Sequence, residues 1–283
     1  MAINKGLFWL SSYPKSGNTW FRIFLANLLY AGDKSVDINQ VESLIHDQIT
    51  TNRYWFDRES GFDTALLSHD ELDRLRPMLY REYSERHEVS YHKIHDAYTY
   101  LNHDEPLIPK EGCLGAIYFI RNPLDVVVSL ANHFLCSIDD AIAILGNPTF
   151  AFYPLRQWFL SWSQHVMSWV NAKDINLLVL RYEDMLLDPL NSFTKAAHFL
   201  KLDVTPECIL QAISNSEFNK LQKIETEIGF FEKPPRLKNF FRKGIVGDWK
   251  NTLNEIQIQK IIHDHAEVME KFGYLNKDRS PIG

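Results

Sequence analysis

SSYPKSGNTWFRIFL, residues 11–25, joins a short apolar run to a stretch whose apolar residues recur at helical spacing. The preceding run, GLFWLSS over residues 6–12, is short, apolar and followed by a turn with Pro14 and Gly17. It reads as a buried strand. Trp20, Ile23, Phe24, Asn27 and Leu28 then space like one face of a helix. The loop therefore lies between a strand and a helix amino terminus, where free backbone N–H groups and the helix dipole favour an anion. Lys15 supplies a point charge, Ser16, Asn18 and Thr19 offer side-chain donors, and Gly17 lets the backbone approach closely. The spacing G-x-x-x-x-G-K-[ST] of a Walker loop is absent.

The rest of the chain repeats the strand-then-helix pattern. Further strands are predicted over residues 89–94, 113–120 and 175–184. Helices are predicted over residues 69–86, bent near Pro77, after Asn122-Pro123, and over 253–272, with two more before residue 215. Leu155, Trp158, Phe159, Trp162, Val166 and Trp169 read as one core-facing helical stripe. Residues 223–247, with Pro234 and Pro235, read as irregular. The expected fold is α/β: a single domain over residues 1–283, with a central parallel sheet flanked by helices. Its phosphate-binding strand–loop–helix is similar to that of nucleotide kinases.

Composition narrows the function. A hydrophobic content of 45% over 283 residues is enough for a large core and excludes a disordered chain. The net charge of −6, from 30 basic and 36 acidic residues, argues against a broad nucleic-acid surface. Cys113, Cys136 and Cys208 form neither a disulfide framework nor a C-x-x-C pair, which suits a reducing compartment. No apolar run approaches the ~18 residues of a membrane span. A cytoplasmic protein without nucleic-acid or membrane partners is expected.

Each predicted strand ends in polar, reactive residues, where an open parallel sheet binds its ligands. After the third comes RNPLDVVVS, with Arg121 at the sheet edge and Ser129 eight residues on. An arginine fork suits a doubly charged phosphate, although a surface ion pair with Asp125 is an alternative. RKGIVGDWKN, residues 242–251, adds Arg242, Lys243 and Gly244, two cations and a close backbone amide.

Together YPKSGNTW, RNPLDVVVS and RKGIVGDWKN resemble the three motifs of the cytosolic sulfotransferases that use 3′-phosphoadenosine 5′-phosphosulfate (PAPS). They occur in the family's order and span residues 13–251. Asn18 stands where the family commonly has threonine. The resemblance implies that Lys15, Ser16, Gly17, Asn18 and Thr19 hold the 5′-phosphosulfate. It assigns Arg121, Ser129, Arg242, Lys243 and Gly244 to the 3′-phosphate. Trp20 would stack on the adenine, with Tyr182, Ser216 and Phe218 near the base. PAPS is then the co-substrate, adenosine 3′,5′-bisphosphate (PAP) the product, and no metal is implied.

Sulfuryl transfer is an in-line displacement at sulfur. It needs a base for the acceptor oxygen and a cation for the leaving phosphate oxygen, a role that suits Lys15. YHKIHDAY resembles the family's Lys-x-His segment, in which the lysine touches the transferring group and the histidine is the base. That implies Lys93 and His95, two apart and on the same side of a strand end. His92 is the rival base, and a metal site through His92 and His95 is a weak alternative. The family commonly has an apolar residue and proline after the histidine; here Asp96 and Ala97 follow, and Asp96 either orients His95 or pairs elsewhere.

Residues 33–88 and 134–155 are expected to shape the acceptor pocket, drawing on Tyr54, Trp55, Phe56, Phe150, Phe152 and Tyr153. They point to a small-molecule alcohol or phenol, with an amine also open. Residues 223–241 are read as a lid over the nucleotide. A homodimer is compatible with the sequence, although the family's short dimer motif is not recognisable after Lys250. Two alternatives are a nucleotide-dependent kinase, which would need a metal-binding carboxylate, and a non-catalytic PAP- or PAPS-binding protein.

Overall fold

The computed structural model describes residues 5–30, 34–47, 53–86, 88–101, 105–153 and 156–282. Strand β1 (Leu7–Ser12) leads into α1 (Asn18–Tyr30), then α2 (Val41–Leu44), α3 (Arg53–Ser60) and α4 (His69–Arg86). Strands β2 (Ser90–Ile94) and β3 (Cys113–Ile120) precede α5 (Pro123–Phe134) and α6 (Ile138–Gly146). A two-stranded hairpin, β4 (Ala151–Phe152) and β5 (Gln157–Trp158), comes before α7 (Trp162–Val170) and β6 (Leu177–Arg181). The chain continues through α8 (Tyr182–Leu187), α9 (Pro189–Phe199), α10 (Pro206–Asn215), α11 (Phe218–Ile228) and α12 (Glu255–Lys271).

β1, β2, β3 and β6 form a wholly parallel sheet in the order β2-β1-β3-β6. Both faces are covered, as a parallel sheet requires. Alternate residues feed two cores. Trp9, Ala116, Tyr118 and Ile120 pack with residues of α4, α5, α7 and α12. Phe8, Leu10, Ile117 and Phe119 pack with residues of α1, α9 and α10. Each large apolar side chain among them, such as Phe8, Leu10, Ile117 or Phe119, stabilises by roughly 1.5–3 kcal/mol when fully buried. Chain order reverses direction about β1, so the loops after β1 and β3 flank the crevice where such sheets bind ligands. Among the described residues, no single helix is long and apolar enough to cross a membrane.

The helix over residues 69–86 and the strand over 113–120 appear as the sequence predicts. Three expectations need correction. The aromatic stripe is not one helix: Trp158 ends β5, Leu160 has a φ of 55°, and Ser161 opens α7 through a capping box with Gln164. That box satisfies amino-terminal N–H groups that would be orphaned in a longer helix. Leu155 lies outside the described residues. The strand predicted over 175–184 stops at Arg181, and Tyr182 begins α8. Residues 223–228 belong to α11, so the irregular segment is shorter than expected.

Candidate active site

The loop after β1 is shaped by its own residues. Lys15 and Gly17 have φ of 71° and 99°, the left-handed region that turns successive backbone amides toward one point. A Cβ at residue 17 would stand 2.7 Å from the Tyr182 ring, so only glycine fits. The Asn18 amide donates to the Leu10 carbonyl at 2.7 Å. It also reaches Ser12 Oγ at 3.4 Å, so the side-chain amide tethers the loop to β1.

A cavity of about 410 Å³ opens over this loop. Lys15, Gly17, Asn18, Thr19, Trp20, Lys93, His95, Arg121, Ser129, Tyr182, Phe218, Arg242, Lys243 and Gly244 all line it. Ser16 and Ser216 are not among the lining residues. Ser16 is buried, with its Oγ unpartnered. The Ser216 hydroxyl donates back to the Ala212 carbonyl at 2.8 Å, so it is committed to its own helix. Its backbone carbonyl instead accepts from Trp20 Nε1 at 2.9 Å.

At one end, Arg121 lies over the Tyr182 ring at 4.3 Å and donates to the carbonyls of Lys15 and Ile245 at 3.1 and 3.0 Å. It thereby joins the loops after β1 and β3 to residues 242–251. Arg242 and Lys243 both pair with Asp248. Burial pushes the Asp248 carboxyl up, but hydrogen bonds from Lys243 and Arg242 more than offset this and hold it low. Asp125 does not form the surface ion pair with Arg121. It is buried and accepts the backbone N–H groups of Gly247 and Trp249 at 2.8 and 3.1 Å. Nothing local in the sequence signals this tie. A Cβ on residue 244 would collide with the Phe218 ring, so glycine there allows the close approach.

At the other end, His95 Nδ1 lies 2.8 Å from the Ser12 carbonyl. Burial, and next the Lys93 ammonium, pull the imidazole well below its ordinary pKa. The backbone on either side is pinned. His165 Nε2 is 3.0 Å from the His95 carbonyl, and Trp169 Nε1 is 2.9 Å from that of Asp96. Asp96 itself points away, pairing with buried Arg76 at 2.7 Å and accepting Trp158 N–H at 2.9 Å. Of the two roles left open for it, the structure places the second. His92 faces the core, 3.0 Å from Ser90 Oγ and against Trp9 and Tyr83. The strand pleat separates it from His95.

Lys93 carries a partner that no motif announces. Its Nζ lies 3.1 Å from Glu232, whose other oxygen takes Arg22 at 2.8 Å. Burial pushes the Glu232 carboxyl up, but the Lys93 and Arg22 charges hold it at about 2. Lys15 Nζ sits 4.4 Å from the Phe240 ring centroid. Burial pulls Lys15 down to about 7, helped by Lys93 and Arg121.

The aromatics expected to shape the acceptor pocket mostly do other work. Trp55 and Phe56 are in the core, Tyr54 is exposed, and Tyr153 packs on His69 at 5.1 Å. Only Phe152 of that set lines the cavity, joined by Phe134, Phe159, Phe240, His133 and Gln157. Phe134 and Phe152 stack at 5.4 Å, and Phe152 and Phe159 at 5.9 Å. The arrangement offers a cation-rich cradle for a bisphosphorylated ligand, an aromatic-walled chamber, and a neutral imidazole between them. The buried Arg121 Nε without partner and the glycine-only approach at Gly17 both suit an anion there.

Comparison with known proteins agrees. A family model described as sulfotransferase domain matches residues 6–273. The chain is 26% identical over 274 residues to 3-alpha-hydroxysteroid sulfotransferase of Cavia porcellus, covering 91% of this chain and 82% of that one. It is 30% identical over 168 residues to sulfotransferase 2A2 of Mus musculus, covering 56% and 57%. Mouse sulfotransferase SULT7A1 complexed with PAP superposes with a TM-score of 0.63 at 21% identity, over 94% of this chain and 85% of its own. Retinol dehydratase in a complex with retinol and PAP gives 0.62 at 19% identity, over 95% and 83%.

Proposed function

The chain belongs to the sulfotransferase domain family and is a PAPS-dependent sulfotransferase; from that premise we propose how its residues divide the reaction. PAPS lies along the cavity with its 3′-phosphate at Arg121, Ser129, Arg242 and Lys243, and its adenine between Trp20, Tyr182 and Phe218. The 5′-phosphosulfate rests on the Lys15–Thr19 loop, with Ser16 acting through its backbone. The acceptor is a small molecule whose hydroxyl enters from the chamber walled by Phe134, Phe152, Phe159 and Phe240. An alcohol or phenol suits those walls, and the hydroxysteroids and retinol in the names of two similar proteins carry a hydroxyl.

The single observation that carries the reading is the position of His95 between cradle and chamber. Its Nδ1 faces a carbonyl oxygen, so that nitrogen holds the proton and Nε2 keeps its lone pair. Nε2 takes the proton from the acceptor hydroxyl as the oxygen bonds to sulfur and the sulfur–oxygen bond to the 5′-phosphate breaks. Lys15 offsets the charge growing on that phosphate oxygen, and Lys93 steadies the sulfuryl group in flight. A positioned base of this kind contributes roughly 10²–10⁴-fold. The test is sulfation of a panel of alcohols and phenols with PAPS, read by product mass, in wild type and His95→Ala. A sulfated product and PAP release with wild type, lost in a variant that still binds PAP, is expected. Undiminished sulfation by His95→Ala would assign the base elsewhere.

A further inference from the structure

His133 belongs to none of the three motifs, yet it lines the same cavity. It lies on α5 one turn beyond Ser129, and side chains four apart share a helix face. Ser129 also lines the cavity and is assigned to the 3′-phosphate end, so the helix carries His133 toward the acceptor chamber. There its ring is 5.5 Å from Phe134 and 6.3 Å from Phe240. Its Nδ1 is buried and has no hydrogen-bond partner. Burial, with Lys15 and Lys93 nearby, pulls its pKa down to about 3, so the ring is neutral.

A neutral imidazole donates at one nitrogen and accepts at the other. With Nδ1 sealed off, Nε2 is the nitrogen that water can serve while the chamber is open. A ring-shaped acceptor sliding between the phenylalanines expels that water. An apolar body would then leave a buried polar atom unmet, which is costly, whereas a second polar group on the acceptor would meet it. The attacked hydroxyl is not that group, because His95 is the imidazole with an orienting carbonyl. Resting on the sulfotransferase reading, we propose that His133 is a specificity-determining residue that hydrogen-bonds a second polar group of the acceptor. The preferred acceptor class is therefore a ring compound that carries a second hydroxyl besides the attacked one, not a lone phenol.

The experiment compares kcat/KM for 2,3-dihydroxynaphthalene and 2-naphthol with PAPS in wild type, His133→Phe and His133→Asn, with PAP thermal shifts on all three. Wild type should favour the diol by roughly ten- to a hundredfold. His133→Phe should erase that preference by raising KM for the diol, and His133→Asn, which still hydrogen-bonds, should restore part of it. Equal use of both probes by wild type, failure to use either, or an unchanged ratio in His133→Phe would overturn the proposal. So would an equal loss toward both probes. Absence of a PAP shift in wild type would instead withdraw the sulfotransferase reading, and the proposal with it.

Discussion

His95 Nδ1 and the Ser12 carbonyl oxygen, 2.8 Å apart, couple the base to the strand that carries the phosphate loop. Ser12 is the last residue of β1, and residues 13–17 follow directly. One backbone group thus fixes the tautomer of the base and the start of the anion cradle. Burial, then Lys93, hold the imidazole pKa well below its ordinary 6.5. The base is therefore already neutral at mildly acid pH. The acid limb of kcat/KM, which reports groups of the free enzyme, should lie well below pH 6.5, and a limb centred at or above the ordinary histidine value would contradict this electrostatic account.

Lys15 makes nucleotide binding consume a proton. In the open site its pKa is about 7, because burial and the cations Lys93 and Arg121 outweigh Glu232. A bound phosphate favours the charged form and raises that value. Between about pH 7 and the raised value, the complex holds more of this proton than the free protein. PAP affinity should therefore fall as pH rises above 7, by up to about tenfold per pH unit. Calorimetry at pH 8 in buffers of different ionisation enthalpy should show proton uptake; affinity that is flat from pH 7 to 9 would count against it.

Arg76 and Asp96 form a fully buried pair, with side chains 2% and 0% exposed. Removing the carboxylate leaves a guanidinium away from water, with Asp73 as a weaker partner at 3.4 Å. Asp96→Ala should cost about 3–5 kcal/mol of stability. It should also lower kcat, because the Asp96 carboxylate holds the backbone beside His95 through Trp158 N–H. Denaturant melts report the first effect, and a loss under 1 kcal/mol would refute it.

Glu232 links the irregular segment after α11 to both Lys93 and Arg22. Its folded pKa, about 2 against an ordinary 4.5, is depressed. Its stabilisation is therefore present above pH 4.5 and lost as the pH falls through that value toward 2. Glu232→Gln should destabilise by roughly 1.5–3 kcal/mol at neutral pH. It should also flatten the acid side of the stability curve. An acid transition identical to wild type would show that the pair contributes nothing.

Local pattern made the sheet legible. The apolar runs at residues 7–12 and 113–120 fit fully buried parallel strands, and the residues at their ends line one cavity. What escaped was long-range. Asp125 holds Gly247 and Trp249 from more than a hundred residues away, and Glu232 reaches Lys93 across a similar span. No periodicity encodes such ties. The stripe ending in Trp169 misled for a related reason: Trp158 and Phe159 are apolar at helical spacing, but a hairpin and the Ser161 cap override the period. Trp55 and Phe56 were drawn into the core, where aromatic side chains bury most area.

The central claim is a pocket for a 3′-phosphorylated adenine nucleotide, and thermal shift tests it most directly. PAP, ADP and AMP are compared without metal on wild type and Arg121→Ala. A ligand at 100 times its dissociation constant stabilises by about 2.7 kcal/mol, a readily measured rise in Tm. The account predicts a shift with PAP well above those with ADP and AMP, collapsing in Arg121→Ala. Equal or larger shifts with ADP, or none with PAP, would contradict it.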